Sequence, residues 1–563
     1  DEDDSSDEMQ FTRLLAPPSH EAAEALRPGS NNWVLSGAHT VSGRPLLSND
    51  MHLGHQIPNI WYEAQLTAGD FDVAGVTLPG LPFVIVGHNR RIAWGFTNLG
   101  PDVEDIFVEN FNPQGEYQTP RGWQRPEVRP EVIHVKGAPD VRFDVLTTRH
   151  GPVVTELAPA KFRFQVTATQ HGPIVSSPEP GERRQIALEW TILRLGMGMP
   201  FGEIDAAANW QQFRAAFRNF VAPSQNAVYA DVEGNIGYQA TGVIPRRVAG
   251  DGALPVAGND DAHEWTGFIP FEKLPSVYDP PSGILATANG RIAADDYPLP
   301  LSSEWGTAYR TERIYRVLES GRKFAPADML ALEIDIYSAF ADHSPQASVR
   351  ARQAAEFLRS WDGRLTKDSA AATIETAARK ILFRLLLQPK LGPMWLEYEW
   401  FNSHTALENL LSRQPKAWLP SRYSSYDALL LAALEESVKD APRDLESWRW
   451  GTYSPLIIQH PIFGKIPLLR HWSGPGLVEQ SGGGETVKQV GRSFGPSERM
   501  TVDFANFDES TLNIVIGESG NIFSPHFMDQ WKAWYEGTTF PLPFSQQAVE
   551  LAAQHRLQLV PAN

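Results

Sequence analysis

Apolar residues change their spacing twice along this chain, and the changes divide it into parts with different folding requirements. From Trp33 to about Phe107, short runs typical of strands recur at Trp33–Ser36, Phe83–Val86 and Ile92–Thr97, separated by the turn signals Ser42-Gly43, Pro79-Gly80 and His88-Asn89. Between about Pro326 and Asp440 the spacing becomes helical and rich in Ala, Leu, Arg and Glu, as in Ala370–Leu387 and Tyr426–Val438. Gly, Pro and aromatic residues return from Pro455 onward, where Ser481-Gly482-Gly483-Gly484 reads as a flexible loop. The pattern is that of a sheet-rich frame carrying a mostly helical insertion, with no fixed-period repeat. Within the frame, Asp205 is expected to cap a helix whose stripe of Trp210, Phe213, Phe217 and Phe220 ends before Pro223. A hairpin is expected where Ala227–Ala230 and Ile236–Gln239 flank Glu233-Gly234-Asn235. At the other end, Ser545–Leu557 is expected to dock as a closing helix.

Bulk composition removes several classes of function. With 563 residues, 42% of them hydrophobic, the chain can bury a large core. A formal net charge of −18 argues against a nucleic-acid binder, which needs a concentrated basic face. The longest apolar runs, such as Ala428 to Leu434, fall far short of the roughly 20 residues that cross a membrane. With no cysteine there are no disulfides, thiolate nucleophiles or cysteine metal sites, which leaves serine, threonine, histidine and carboxylates for chemistry. Asp1 to Glu8 holds six acids and no base; it reads as a solvated tail, a linker or the remnant of an upstream segment.

Gly29-Ser30-Asn31-Asn32-Trp33 stands where the acidic leader, ending in Arg27-Pro28, meets the first strong strand. A serine hydroxyl is a weak nucleophile that needs a base. If Ser30 were a first residue its own α-amine would serve, since such amines have a pKa of roughly 7.7–8.0. That chemistry requires a cut between Gly29 and Ser30, and glycine permits backbone geometries in which the Ser30 hydroxyl approaches the preceding carbonyl. Taken alone, Gly-Ser-Asn-Asn is equally a turn sequence.

Further blocks decide between these readings. Ser30-Asn31-Asn32-Trp33 continues through Gly43-Arg44-Pro45-Leu46-Leu47-Ser48-Asn49-Asp50-Met51-His52-Leu53. In order there follow Ala93-Trp94-Gly95-Phe96-Thr97-Asn98, Asp102-Val103-Glu104-Asp105, His150-Gly151-Pro152-Val153, Pro223-Ser224-Gln225-Asn226, Gly234-Asn235-Ile236-Gly237-Tyr238, Ala286-Thr287-Ala288-Asn289 and Trp305-Gly306-Thr307-Ala308-Tyr309-Arg310. Over nearly all of residues 30–563 this order resembles the β subunit of the penicillin acylase family, which includes penicillin amidases and N-acyl-homoserine lactone acylases. The resemblance implies an α+β fold, the N-terminal-nucleophile (Ntn) hydrolase sandwich of four layers, αββα, with a mostly helical insertion. It implies a leader, spacer or end of an α subunit over residues 1–29, a core over 30–325, the insertion over 326–445, and a return to the core over 446–563. The implied activity is hydrolysis of N-acyl amides through an acyl-enzyme on Ser30, freed by autoproteolysis at Gly29-Ser30.

By the same resemblance the oxyanion donors are the backbone N–H of Asn98 and the side-chain amide of Asn289, His52 orients the nucleophile, and Arg310 holds Asn289 or the polar end of the substrate. Read without it, Asn289 is a turn residue, His52 a surface or core histidine and Arg310 a salt-bridging arginine. His150 is taken as structural. Asp102 and Asp105, with the Glu104 backbone between them, resemble an acidic corner that binds a structural calcium ion, a hard cation suited to oxygen ligands. Two further ligands of that corner are missing from this sequence, which offers Leu301 or Ser302 where an aspartate is expected. No cofactor is expected for catalysis. The resemblance also implies an α subunit from the same precursor and a small N-acyl substrate as partners, and a periplasmic or secreted location; the charge and the short apolar runs predict no nucleic-acid partner and no membrane span. Two competing readings are a silent acylase-like binding protein and a carboxylate glycosidase. For the latter, the adjacent pair Asp295-Asp296 is poorly placed to face one sugar from both sides.

Overall fold

The structure, a computed structural model, describes residues 29–153, 184–303, 305–338, 349–392, 395 and 403–560. The acidic leader before Gly29 lies outside these residues. Strand β1 (Gly29–Leu35) is buried along its whole length. Its side chains divide with a period of two. Val34 enters a core shared with Leu47 of β2 (Leu46–Gly54), while Trp33 and Leu35 enter a second cluster on the other face.

Two sheets, each of seven strands, form the frame. In the first, Ile284–Thr287, β1, β2, Glu498–Asp503, Thr511–Ile514 and Phe540–Pro541 lie side by side, and Phe494–Pro496 also pairs with β2. The second runs β3 (Tyr62–Ala68), β4 (Phe71–Thr77), β5 (Val86–Asn89), β6 (Ile92–Asn98), Gln225–Asp231, Ile236–Ala240 and Ser276–Tyr278. Every pairing within both sheets is antiparallel. Val34, Leu47, Met500 and Val502 of the first sheet share one apolar core with Ala93, Val228 and Ala230 of the second. Helices cover the outer faces. Ile314 and Leu318 of Tyr309–Leu318, with Met329 and Leu332 of Pro326–Glu333, pack on Trp33, Leu35 and Ile284. On the second sheet Phe213 of Trp210–Ala216 lies 5.2 Å from Tyr229, and Phe217 lies 6.0 Å from Phe96. The layers are therefore αββα, as expected. The long helices Val349–Ser360, Ala370–Leu391, Ser403–Arg413 and Tyr426–Ser437 make apolar clusters of their own.

Several local expectations change. The helix bearing Trp210 starts at Asn209, whose Oδ1 accepts from the Gln212 N–H at 3.0 Å. Asp205 instead ends the short helix Phe201–Asp205, and its carboxylate accepts from the Val84 N–H across the layers at 3.0 Å. The Ser481–Gly484 segment is packed rather than loose: Gly482 donates to Leu365 O at 2.8 Å and accepts from the Trp450 indole at 2.8 Å. At the C-terminus Leu542 and Phe544 are buried, but the helix Gln546–Ala552 fully buries none of its residues, and Leu551 is 81% exposed. The predicted hairpin forms between Gln225–Asp231 and Ile236–Ala240.

Candidate active site

The site grows from the register of β1. On one side β2 pairs Gly29 with His52, Ser30 with Met51 and Asn31 with Asp50. On the other, Ile284–Thr287 pairs with β1 only as far as Thr287 opposite Asn32. Continued by two residues, that antiparallel register would set Asn289 opposite Ser30. The ladder stops there because Asn289 takes a left-handed backbone, φ 65°, a conformation asparagine tolerates better than most residues. Its side chain replaces the missing rung, with Oδ1 accepting from the Ser30 N–H at 2.8 Å.

The orientation of the Asn289 amide follows from Arg310, which can only donate. Arg310 gives Nη2 to Asn289 Oδ1 at 3.0 Å and Nη1 to Ser30 O at 2.9 Å and Asn31 Oδ1 at 3.0 Å. The oxygen of Asn289 is thereby fixed toward Ser30, and its Nδ2 donates one hydrogen to Asn98 O at 2.9 Å, leaving the other. Burial pulls the Arg310 guanidinium down to about 10, against the charges of Glu485 and Asp50, so it remains a cation at neutral pH. Ser30 is 5% exposed, and its hydroxyl donates to Gly29 O at 2.5 Å. Ser30, Asn98, Asn289 and Arg310 thus meet in one place.

His52 sits differently. It shares a face of the sheet with Gly29, Asn31 and Trp33, whereas Ser30 shares the opposite face with Asn32 and Val34. No hydrogen bond joins His52 to Ser30 among the described contacts. The ring instead meets Asp50 Oδ2 at 2.9 Å through Nε2 and Gln489 Oε1 at 3.2 Å through Nδ1. Asp50 Oδ2 also accepts from Asn31 Nδ2 at 3.2 Å, so Asp50, Asn31 and Arg310 form a chain of contacts leading back to Asn289. Gln489 is held by Gly484 O at 3.0 Å and lies so close to Gly29 that a Cβ there would fall 1.6 Å from its Oε1. Asp50 lies inside the Gly43–Leu53 block, where the sequence alone gives it no role. Gln489 carried no signal, because it reaches the site from a glycine-rich segment that reads as a loose loop.

His150 is buried and tied into the frame: its ring stacks on Phe107 at 3.7 Å and bonds Glu109 and Glu264, each at 2.7 Å. Asp295 is 97% exposed and paired with Arg291, so the Asp295-Asp296 pair named for the glycosidase reading is not enclosed. Asp102 and Asp105 do converge, but on Arg247: Nε donates to Asp105 at 2.7 Å and Nη2 to Asp102 at 3.3 Å. Beside them, the Glu104 backbone pairs with Trp190 in the ladder between β7 (Glu104–Asn110) and Arg184–Trp190. A guanidinium in contact with both carboxylates does not fit a calcium ion bound by the same groups.

Two packed antiparallel sheets between helical layers, with a serine at the head of an interior strand, make the fold that of the Ntn hydrolases. A solved structure of a thermostable penicillin G acylase from Alcaligenes faecalis superposes with a TM-score of 0.74 at 20% identity, covering 95% of this chain and 100% of that one. Penicillin acylase 2 proenzyme of Pseudomonas sp. (strain SE83) is 29% identical over 98% of this chain and 71% of its own length. The acyl-homoserine lactone acylase QuiP of Pseudomonas aeruginosa is also 29% identical, over 95% of this chain and 69% of its own. Residues 2–551 match the penicillin amidase family, and the chain belongs to that family of amidohydrolases. No helix among the described residues is long and apolar enough to cross a membrane.

Proposed function

We propose that this chain hydrolyses the amide bond of N-acylated small molecules through an acyl-enzyme on Ser30, after cutting itself between Gly29 and Ser30. The observation that carries the reading is the contact of the Ser30 hydroxyl with the Gly29 carbonyl at 2.5 Å. In the first stage the hydroxyl oxygen attacks the Gly29 carbonyl carbon, the C–N bond breaks, and the nitrogen takes the proton. Water then hydrolyses the resulting ester, releasing a Gly29 carboxylate and restoring the Ser30 hydroxyl beside its now free α-amine. In the second stage that amine takes the hydroxyl proton while the oxygen attacks the substrate amide. The leaving amine departs with the proton, and water frees the acid.

Negative charge develops on the substrate carbonyl oxygen as it is attacked, and preorganised donors there stabilise the transition state. The second hydrogen of Asn289 Nδ2 and the Asn98 N–H are the donors in this reading; the orientation of the Asn289 amide, held by Arg310, supports the first. The substrates are penicillin-type amides or acyl-homoserine lactones, the two kinds in the relatives' names. An α subunit from the same precursor, in line with the proenzyme name, and a periplasmic or secreted location complete the reading.

Mass spectrometry of the purified protein tests it, alongside a panel of N-acyl substrates assayed for free amine. A chain beginning at Ser30 that turns over substrate, with Ser30→Ala uncut and inactive, is the expected result. Turnover by an uncut chain would contradict the mechanism.

A further inference from the structure

The corner at the start of β7 holds a cation that belongs to the chain itself. Arg247 gives Nε to Asp105 Oδ2 at 2.7 Å, and Nη2 to Asp102 Oδ1 at 3.3 Å and to the Asp102 carbonyl at 3.2 Å. All three side chains are largely withdrawn from solvent, with Arg247 7%, Asp105 5% and Asp102 19% exposed. Trp265 closes the group from the side, donating its indole N–H to Asp105 while the guanidinium carbon lies 6.0 Å from its ring centre.

The point between the two carboxylates is closed to a metal ion. A Cβ built on Gly252 would lie 2.5 Å from Asp102 Oδ2 and 2.6 Å from Asp105 Oδ1, the range of calcium–oxygen bonds. The same point is 2.6 Å from Arg247 Nη2 and one bond from the Gly252 backbone, so an ion there would touch both a like charge and the main chain. Calcium asks for about six to eight oxygen ligands. Where an aspartate would be needed stand Leu301 and Ser302, and the Leu301 carbonyl already accepts from the Asp102 N–H at 3.0 Å.

We infer that Arg247 does in this protein what the family resemblance assigns to calcium. It ties the segment leading into β7 to the paired strands Pro245–Arg247 and Trp265–Phe268, and it makes the frame independent of the metal. The inference concerns how the frame is held and does not depend on the chemistry at Ser30.

The experiment is thermal unfolding and calcium titration of the full protein after dialysis against a chelator. The wild type is expected to keep its unfolding temperature within about 1 °C with chelator or with excess calcium chloride, and to show no saturable uptake. Arg247→Ala is expected to unfold roughly 3–5 °C lower, by the usual cost of removing one partner of a buried ion pair from a chain of this size, and Arg247→Lys less so. One-to-one calcium uptake by the wild type that Asp102→Asn abolishes would overturn the inference, as would an Arg247→Ala protein of unchanged stability. If Arg247→Ala does not fold, the wild-type titration decides by itself.

Discussion

At the scale of single residues, the site works by fixing which way an amide points. Asn289 could turn its oxygen or its nitrogen toward Ser30, and Arg310, a donor only, removes the choice. Asn289→Ala in a correctly processed enzyme is expected to lose roughly 10²–10³ in turnover, the usual worth of one oxyanion donor, measured by release of free amine. Gly29 faces another constraint. Gly29→Ala would drive a methyl onto Gln489 Oε1 and push it off His52, slowing self-cleavage, and Gln489→Ala in the same chain is expected to restore the rate. Gel analysis of precursor and product over time measures both. An unaltered cutting rate in Gly29→Ala would show that Gln489 yields freely. Ser30, Asn98, Asn289 and Arg310 were legible because each sits in a quoted block whose order along the chain carries the resemblance. The partners of His52 were less so: Asp50 lay in a block but had no assigned role, and Gln489, 437 residues away, is brought in by folding alone.

Elements were legible where local chemistry agreed with the packing. Ser369 and Ser425 cap the helices Ala370–Leu391 and Tyr426–Ser437, accepting from the Ala372 and Ala428 N–H groups at 3.1 Å each, so periodicity and caps point the same way. Asp205 misleads because a carboxylate five residues before the helix Trp210–Ala216 looks like its cap, while the Val84 N–H claims it. Asn209→Ala is therefore expected to cost about 1 kcal/mol of stability, read from urea unfolding, as the loss of an N-cap. The C-terminal segment misled in the opposite way. Its apolar residues have the spacing of a docking helix, yet the chain buries Leu542 and Phe544 before the helix begins, and Leu551 is left exposed.

For the molecule as a whole, the acidic groups buried beneath the site tie stability to pH. Glu498 is fully buried; burial chiefly, with the charge of Asp50, pushes its carboxyl up to about 8, although bonds from Asn49 and the Met51 N–H oppose this. In the unfolded chain it titrates near 4.5. Between those values the folded state holds the extra proton, so this group's contribution is largest in acid and shrinks as pH rises through about 8. Glu498→Gln is expected to flatten that part of the unfolding temperature's dependence on pH between 5 and 9; an unchanged profile would assign the dependence to other groups. The feature with the widest reach is the position of β1 inside its sheet. From Asn32 onward the strand is gripped from both sides, and only its first three residues are free of the Ile284–Thr287 neighbour. Severing the bond before Ser30, as proposed, would leave the pairings from Ser30 to Leu35 in place. On the proposed mechanism the blade is ground and clamped before the scabbard comes off, and the terminus that the cut would free already has its seat.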